Sequence, residues 1–205
     1  FKISKDARDI GVSYTAGIKR PSSELIKKFD GAKGRNNKIA ALSKISRNAR
    51  KLFSGSGFSA SIWGHPACGL SLSLLKQLER RAANSTGIRA EGRCRHLALT
   101  ICFGHKGHPK ARIFRETINM FLQMLQFYQK SNDFPLLVKA WEKARAACIT
   151  FASEIRGHLS TMLYYLHLLG WKSIAVSVWI DHSGNSWTLD GDNTSPETLI
   201  CSVID

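Results

Sequence analysis

The hydrophobic residues in the first quarter of the chain follow two different periods. Ile10, Val12 and Tyr14 alternate with small residues, which is the period of a short β-strand. From residue 22 to residue 53 the spacing changes to three and four, and it predicts one long amphipathic helix that follows a Pro-Ser-Ser turn. Its apolar stripe consists of Leu25, Phe29, Ala32, Ile39, Leu42, Ile45, Ala49 and Leu52.

The helical period returns through the middle of the chain and predicts a series of further helices. The first begins at a serine cap, Ser71 or Ser73, and ends at Gly87, with Leu74, Leu75, Leu78 and Ala82 as its buried face. A second spans residues 93–103 and is followed by a loop over residues 104–109. The widest apolar faces predict three more helices, at residues 110–130, 134–149 and 151–169.

Beyond residue 170 the pattern changes back to that of strands. Residues 174–180 and 186–189 predict a β-hairpin, and a further helix is predicted from Ser195. An isolated hairpin is marginally stable in water, so we expect its tryptophans to dock on a helix face; the alternative is an exposed platform that stacks on bases. The tryptophans are Trp171, Trp179 and Trp187, and the candidate face is that of Met162, Tyr165, Leu166 and Leu169.

The expected fold is therefore mainly α, a helical bundle with a short N-terminal strand and a C-terminal β-hairpin. Charge adds a second asymmetry to this fold. Residues 1–51 hold 14 Lys and Arg against 4 Asp and Glu, residues 52–115 hold 10 against 2, and residues 116–205 hold 6 against 9. Such an uneven field attracts a polyanion to one part of the surface, and RNA or DNA is the usual one, although a basic face kept for solubility is the alternative. The residues expected to contact phosphates are Lys27, Lys28, Lys33, Arg35, Lys38, Lys44, Arg47, Arg50, Lys51, Arg80, Arg81, Arg93 and Arg95.

The sequence does not support a membrane protein or a secreted protein. The chain has no apolar run long enough for a transmembrane helix, so no membrane partner is expected, and early charges interrupt any signal peptide. Phe1 is not a start methionine, which favours a segment of a longer product. The five cysteines are widely spaced and odd in number, which predicts reduced, buried thiols in a cytoplasmic or nuclear protein.

One group of cysteines and histidines raises the question of a metal. Cys94, His96, Cys102, His105 and His108 lie close in sequence, and the spacing of the last three would suit zinc. A helix over residues 93–103 would turn Cys94 and His96 away from each other, and a buried cysteine beside loop histidines is the simpler interpretation. We therefore expect the chain to hold no metal and no cofactor. A metalloenzyme that uses these cysteines and histidines is the alternative.

Several segments, in order along the chain, resemble a known family. Residues 7–14 resemble the strand that closes the palm of LINE-like (non-LTR) reverse transcriptases, which a long basic helix follows in those proteins. A second block of that family resembles Trp63-Gly64-His65-Pro66-Ala67-Cys68-Gly69-Leu70-Ser71, followed by Leu78, Arg81, Ala82, Thr86 and Gly87. A third resembles Leu169-Gly170-Trp171, followed by Trp179, Asp181, Gly184, Trp187 and Leu189.

The resemblance implies the thumb and connection region of a retroelement RNA-directed DNA polymerase. The family's paired catalytic aspartates lie in the palm, upstream of this region, and no adjacent aspartate pair occurs here, so the chain would grip template and primer without performing chemistry. Its partners would be RNA or DNA and an upstream polymerase palm domain. The implied organisation is a palm-like strand and turn at residues 1–20, a basic helical thumb-like region at 21–130, and a helical connection region with the hairpin at 131–205. The alternative is a stand-alone basic helical scaffold domain that binds an acidic protein.

Overall fold

The computed structural model describes the backbone of Asp6–Asp9 and Val12–Thr15, and all of residues 23–189 except the side chain of His105. These residues form a mainly helical protein with a small antiparallel sheet after the last described helix, which confirms the predicted fold class. The strands are β1 (Asp6–Asp9), β2 (Val12–Thr15), β3 (Lys172–Ala175), β4 (Val178–Ile180) and β5 (Ser186–Thr188). The α-helices are α1 (Ser23–Gly31), α2 (Lys33–Ile45), α3 (Phe58–Ile62), α4 (His65–Cys68), α5 (Leu72–Asn84), α6 (Arg95–Gly107), α7 (Pro109–Lys130), α8 (Phe134–Ala146) and α9 (His158–Leu168).

Strand pairing is local throughout the described residues. The predicted N-terminal strand is present as β2, and it pairs with β1. The helix predicted from Ser195 lies outside the described residues. Four cysteines are described and all are free thiols: Cys68 is buried and Cys102 half-buried, but Cys94 and Cys148 are exposed, so the expectation that the cysteines are buried was wrong for these two. Among residues 23–189, no helix is both long enough and apolar enough to cross a bilayer.

The long helix predicted for residues 22–53 is divided. α1 and α2 follow each other almost without a break, because Ala32 N donates to Lys28 O and Asn36 N donates to Ala32 O, each at 3.0 Å. α2 then ends at Ile45, and the chain continues as a 3₁₀ turn (Arg47–Arg50) and a π-helical turn (Phe53–Gly57). A single helix was therefore the wrong prediction.

The buried stripe of α2 also differs from the predicted one. Asn36 and Ser43 are buried, whereas Leu42 is 49% exposed and Ile45 is 87% exposed. Two close approaches of glycine explain this. A Cβ on Gly57 would lie 2.5 Å from Asn36 Oδ1, and a Cβ on Gly87, whose φ is +76°, would lie 2.3 Å from Ser43 O. At Asn36 and Ser43 the inner side of α2 therefore meets the backbone of two distant segments, while Ile39 between them is buried as predicted.

Helices α5 and α6 agree better with their predicted positions. Ser71 caps α5, since Leu74 N donates to its hydroxyl at 3.3 Å. Leu75, Leu78 and Ala82 form the buried face as predicted, while Leu74 is only half-buried. α6 extends to Gly107, past the predicted stop, although Gly104 has the non-helical angles φ 69° and ψ 175°. A glycine can adopt these angles, so the chain bends there and resumes the helix.

α7 confirms the predicted helix at residues 110–130, but the next two helices are shorter than predicted. α8 ends at Ala146, and α9 begins only at His158, after a 3₁₀ turn over Ala152–Glu154. The Glu154 carboxylate accepts hydrogen bonds from the amides of Phe151 and Thr150, both at 2.8 Å, and these bonds hold its pKa below the usual value. That cap fixes a separate turn where apolar spacing alone suggested one continuous helix.

The C-terminal sheet has three strands where a two-stranded hairpin was predicted. Val176 and Ser177 separate β3 from β4, so the stretch predicted as one strand folds back on itself. In the second pair Trp179 lies opposite Trp187. The docking prediction is confirmed for Trp171 and Trp179, which share one buried cluster with residues of α7, α8 and α9: Ile118, Phe121, Leu122, Leu125, Leu137, Trp141, Met162 and Leu166. Tyr165 instead packs edge to face on Phe114, with ring centroids 4.9 Å apart.

The carboxylate of Asp181 organises the turn between β4 and β5. Its Oδ1 accepts from the amides of Ser183 and Asn185, at 2.8 and 2.9 Å. Its Oδ2 accepts from Trp187 Nε1 and Asn185 Nδ2, both at 3.0 Å. Four donors favour the ionised form, so these hydrogen bonds, led by that from Trp187, lower the pKa of Asp181 to about 2.

The depressed pKa of Asp181 predicts an acid-dependent contribution to stability. Since the folded-state pKa lies below the unfolded value of about 3.9, the contribution is complete above about pH 4 and is lost as pH falls through about 2. We expect Asp181→Asn to lower the thermal midpoint above pH 4, because the amide turns a donor toward Trp187 or Asn185. The difference from wild type should shrink between pH 4 and pH 2 in circular dichroism melts. A difference that stays constant over this range would contradict the assignment.

The described chain divides into two compact units. Within residues 23–189, unit 1 contains residues 23–65 and Leu70–Ile113, and unit 2 contains Pro66–Gly69 and residues 114–189, so the division falls within α7. Strand β1 and residues 12–14 of β2 also belong to unit 1. The core of unit 1 is built from residues that include Phe29, Phe53, Phe58, Ile62, Leu78 and Leu99. The core of unit 2 is the tryptophan-containing cluster described above.

Candidate nucleic-acid interface

The two units differ in charge. Residues 23–65 and 70–113 hold 18 Lys and Arg against 4 Asp and Glu, whereas residues 66–69 and 114–189 hold 7 against 5. Within the described residues, the net positive charge therefore lies almost entirely in unit 1. All the residues predicted to contact phosphates belong to this unit.

Most of the predicted contacts on α1, α2 and the following turn are exposed. Lys27 and Lys38 are three helical turns apart and lie opposite the buried stripe. Lys27 forms an ion pair with Glu24 at 2.9 Å. An exposed pair of this kind contributes little to stability, so a phosphate can replace Glu24 as the partner of Lys27. Lys28 and Arg50 are half-buried, and the exposed members are Lys27, Lys33, Arg35, Lys38, Lys44, Arg47 and Lys51.

Two arginines of this group are oriented by contacts within unit 1. Arg35 Nη1 donates to Ser56 Oγ at 3.1 Å, and Arg50 Nη1 donates to Cys102 Sγ at 3.4 Å. A guanidinium has five N–H donors, so each contact uses only a fraction of its capacity. Arg35 is exposed and keeps most of its guanidinium accessible to an anion, whereas half-buried Arg50 is the less accessible of the two.

Arg81 is bound into the fold more tightly than the sequence suggested. Its guanidinium lies over the Phe29 ring at 3.7 Å, donates to the Phe29 carbonyl, and lies 3.8 Å from the carboxylate of Asp30. Burial lowers the pKa of Arg81, while the charge of Asp30 opposes this. The side chain therefore joins α5 to α1. Arg80, its neighbour on α5, is exposed.

Arg93 braces the loop between α5 and α6. Its guanidinium donates to the carbonyls of Ala83 and Ile88, at 2.7 and 3.0 Å, and to Asn84 Oδ1 at 3.2 Å. The Thr86 hydroxyl adds a donation to Ala83 O at 2.7 Å and accepts from Ile88 N at 3.3 Å. Arg93 thus holds the loop in shape, and the tip of the loop is presented to solvent.

Arg89, at the tip of this loop, was missing from the predicted set. The close approach of Gly87 to Ser43 brings the loop against the last turn of α2, which carries Lys44 and leads to Arg47. Arg89 is exposed and therefore extends the basic surface at that end of α2. The sequence pattern could not place Arg89 beside α2, because the contact between Gly87 and Ser43 joins two segments that are distant in the chain.

A second group of cations surrounds one carboxylate on α5. Burial raises the pKa of Glu79, and the charges of Lys110, Arg95, His96 and Lys76 oppose that rise. Of these four residues only Arg95 was predicted to contact phosphate. Lys76, Arg95, His96 and Lys110 are all exposed, so one half-buried acid leaves the surface around it positive.

The cysteines and histidines near α6 do not form a metal centre among the described residues. The rings of His96 and His108 lie 4.9 Å apart, and Cys102 accepts a hydrogen bond from Arg50. No three His, Cys, Asp or Glu side chains within the described residues are placed to share one ion, and the side chain of His105 is not among them. The geometry of unit 1 therefore offers exposed cations for anion binding.

Comparisons with models of known protein families, with curated proteins and with solved structures found no match.

Proposed function

We propose that this chain is a non-catalytic nucleic-acid-binding segment, which grips template and primer for a reverse-transcriptase-like polyprotein. The observation that carries the proposal is the concentration of charge in unit 1, with 18 Lys and Arg against 4 Asp and Glu. Exposed cations on α2, on the turn after it and on the loop at Arg89 suit a ligand with a dense row of phosphates. Phosphate contacts carry no base information, so the binding is tolerant of sequence.

The assignment to a retroelement polyprotein rests on the resemblance of residues 7–14, 63–71 and 169–189 to LINE-like reverse transcriptases. In that assignment the partner is an upstream palm domain, which supplies the catalytic aspartates, and the protein works in the cytoplasm or nucleus. In chain order the basic helices α1 and α2 follow the segment that resembles the palm strand, as one long basic helix does in that family, and here that helix is divided.

The first test is the dependence of binding on salt. If about six phosphates are neutralised, the plot of log affinity against log salt concentration should have a slope near −5 for duplex DNA. We expect two duplexes of unrelated sequence to give the same slope and similar affinities, measured by fluorescence anisotropy of labelled duplexes. A slope near zero would contradict the proposal, since it would mean that few counterions are released.

The second candidate function is a scaffold domain that binds an acidic protein. Leu97 and Ile101 favour it, because they lie one turn apart on α6 and are 57% and 68% exposed. An exposed apolar pair on a unit of net positive charge suits an acidic amphipathic helix. Under this function, substitution of Leu97 and Ile101 by Ser abolishes binding of the partner protein and leaves nucleic-acid affinity unchanged.

A further inference from the structure

Trp63 differs from the other tryptophans of the chain in its exposure. Its side chain is 58% exposed, whereas Trp141 and Trp179 are completely buried and Trp171 is buried in the same cluster. The fifth, Trp187, is half-buried at the edge of that cluster. Trp63 is therefore the one tryptophan in unit 1 and the most exposed of the five.

The backbone on both sides of Trp63 is held in place. Trp63 N donates to Ser59 O at 3.1 Å and ends α3. Gly64 follows with a φ of 87°, an angle that favours glycine, and α4 begins at His65. Ile62 and His65 are 1% and 3% exposed, so the residues that flank the short turn are anchored in the interior. The indole is thus presented to solvent from a rigid support.

Two helices that carry cations pack against α3, which ends just before Trp63. α3 packs against α1, which bears Lys27 and Lys28, and against α5, which bears Lys76 and Arg80. α3 is also held against α2, since Asn36 Nδ2 donates to Ser61 Oγ at 3.1 Å and Gly57, just before α3, approaches Asn36. The acids of α1 are compensated, since Glu24 pairs with Lys27 and Asp30 lies near Arg81.

We propose that Trp63 is a stacking platform for an unpaired nucleobase, with the phosphates of the same strand held by the cations of α1 and α5. This inference rests on the proposed function and adds to it the class of ligand, a single strand. Inside a duplex, neighbouring base pairs cover the faces of each base, so an unpaired base offers the indole a face without any separation of stacked pairs. A row of phosphates explains the surrounding positive charge, which a purely apolar partner would not need.

The experiment compares two probes of equal length on the full chain, an oligodeoxythymidylate and an abasic oligomer that has phosphates but no bases. Stacking on one aromatic residue contributes roughly a 5- to 100-fold gain in affinity per base. We expect wild type to prefer the oligodeoxythymidylate by a factor in this range, and Trp63→Ala to lose that preference while its affinity for the abasic oligomer stays unchanged. Phe127→Ala is the matched control: Phe127 is 68% exposed and belongs to unit 2, so its removal should leave both affinities as they are.

Intrinsic fluorescence gives an independent readout. The oligodeoxythymidylate should quench part of the tryptophan emission of wild type, and this quenching should disappear in Trp63→Phe, which keeps an aromatic ring in case the alanine variant does not fold. If Trp63→Ala and Trp63→Phe both bind the oligodeoxythymidylate as wild type does, the proposed stacking role of Trp63 is wrong, while the proposed function stands. If wild type binds neither oligomer nor duplex, the proposed function fails and the inference fails with it.

Discussion

Trp179→Ala is expected to lower the free energy of unfolding by about 3–5 kcal/mol, the range for truncating a fully buried large aromatic side chain. Trp179 is 0% exposed, and its ring lies 5.3 Å from that of Phe121 and stacks on Trp141 with centroids 6.4 Å apart. Small domains are stable by only about 5–15 kcal/mol, so the variant should unfold at much lower urea concentrations. Urea titration followed by circular dichroism measures this loss.

Two variants make the test of Trp179 specific. Trp179→Phe keeps an aromatic ring and removes an indole N–H that has no hydrogen-bond partner among the described residues, so its loss should be well below that of the alanine variant. Trp187→Ala removes a half-buried ring that stacks on Trp171, with centroids 6.1 Å apart, and a donor to Asp181. We expect an intermediate loss there. A larger loss of unfolding free energy for Trp187→Ala than for Trp179→Ala would show that the core of unit 2 is not centred on Trp179.

Reversal of four charges in unit 1 should nearly abolish nucleic-acid binding. Lys38, Lys44, Arg47 and Lys51 are all exposed. If each neutralises one phosphate, their joint change to Glu loses on the order of a thousandfold in affinity at about 0.15 M salt, and the salt slope becomes shallower by about 3–4. All duplex sequences should weaken alike, since these are phosphate contacts. Anisotropy titrations at several salt concentrations measure both quantities.

Unit 2 offers a control with the same change in net charge. Its exposed residues Lys139, Lys143, Arg156 and Lys172 can be changed to Glu in the same way. If the nucleic acid contacts unit 1 alone, this variant should retain most of its affinity, because charges more than about 8 Å from the ligand are screened at physiological salt. Equal losses in the two variants would show that only the total charge matters. Loss for a single sequence would indicate base readout in place of phosphate contacts.

The parts of the fold that the sequence predicted well are those where one strong apolar face decides the structure. α7 and the buried face of α5 are examples, since Ile118, Phe121, Leu125, Leu75 and Leu78 are all buried as their spacing predicts. α2 was described poorly, because its position depends on contacts with Gly57 and Gly87 that join distant segments. A helix that packs on backbone buries Asn36 and Ser43, and no hydrophobic pattern marks them.

The candidate interface shows the same limit at the level of single side chains. Helical spacing placed Lys27, Lys33, Lys38 and Lys44 on the surface correctly, since long charged side chains are rarely buried. The same reasoning could not predict that Arg80 is exposed while Arg81 is bound into the fold, since the two are adjacent in sequence. Only the fold shows that Arg81 covers the ring of Phe29.

The inner side of α2 has a consequence for how this protein can change over time. The helix is seated by Asn36 and Ser43 against Gly57 and Gly87, and none of these four residues is charged. The outward lysines contribute nothing to that seating. Variation can therefore change the exposed lysines of α2, and with them the strength of ligand binding, without disturbing these contacts. At Gly57 and Gly87, by contrast, even a methyl side chain would meet a neighbouring residue.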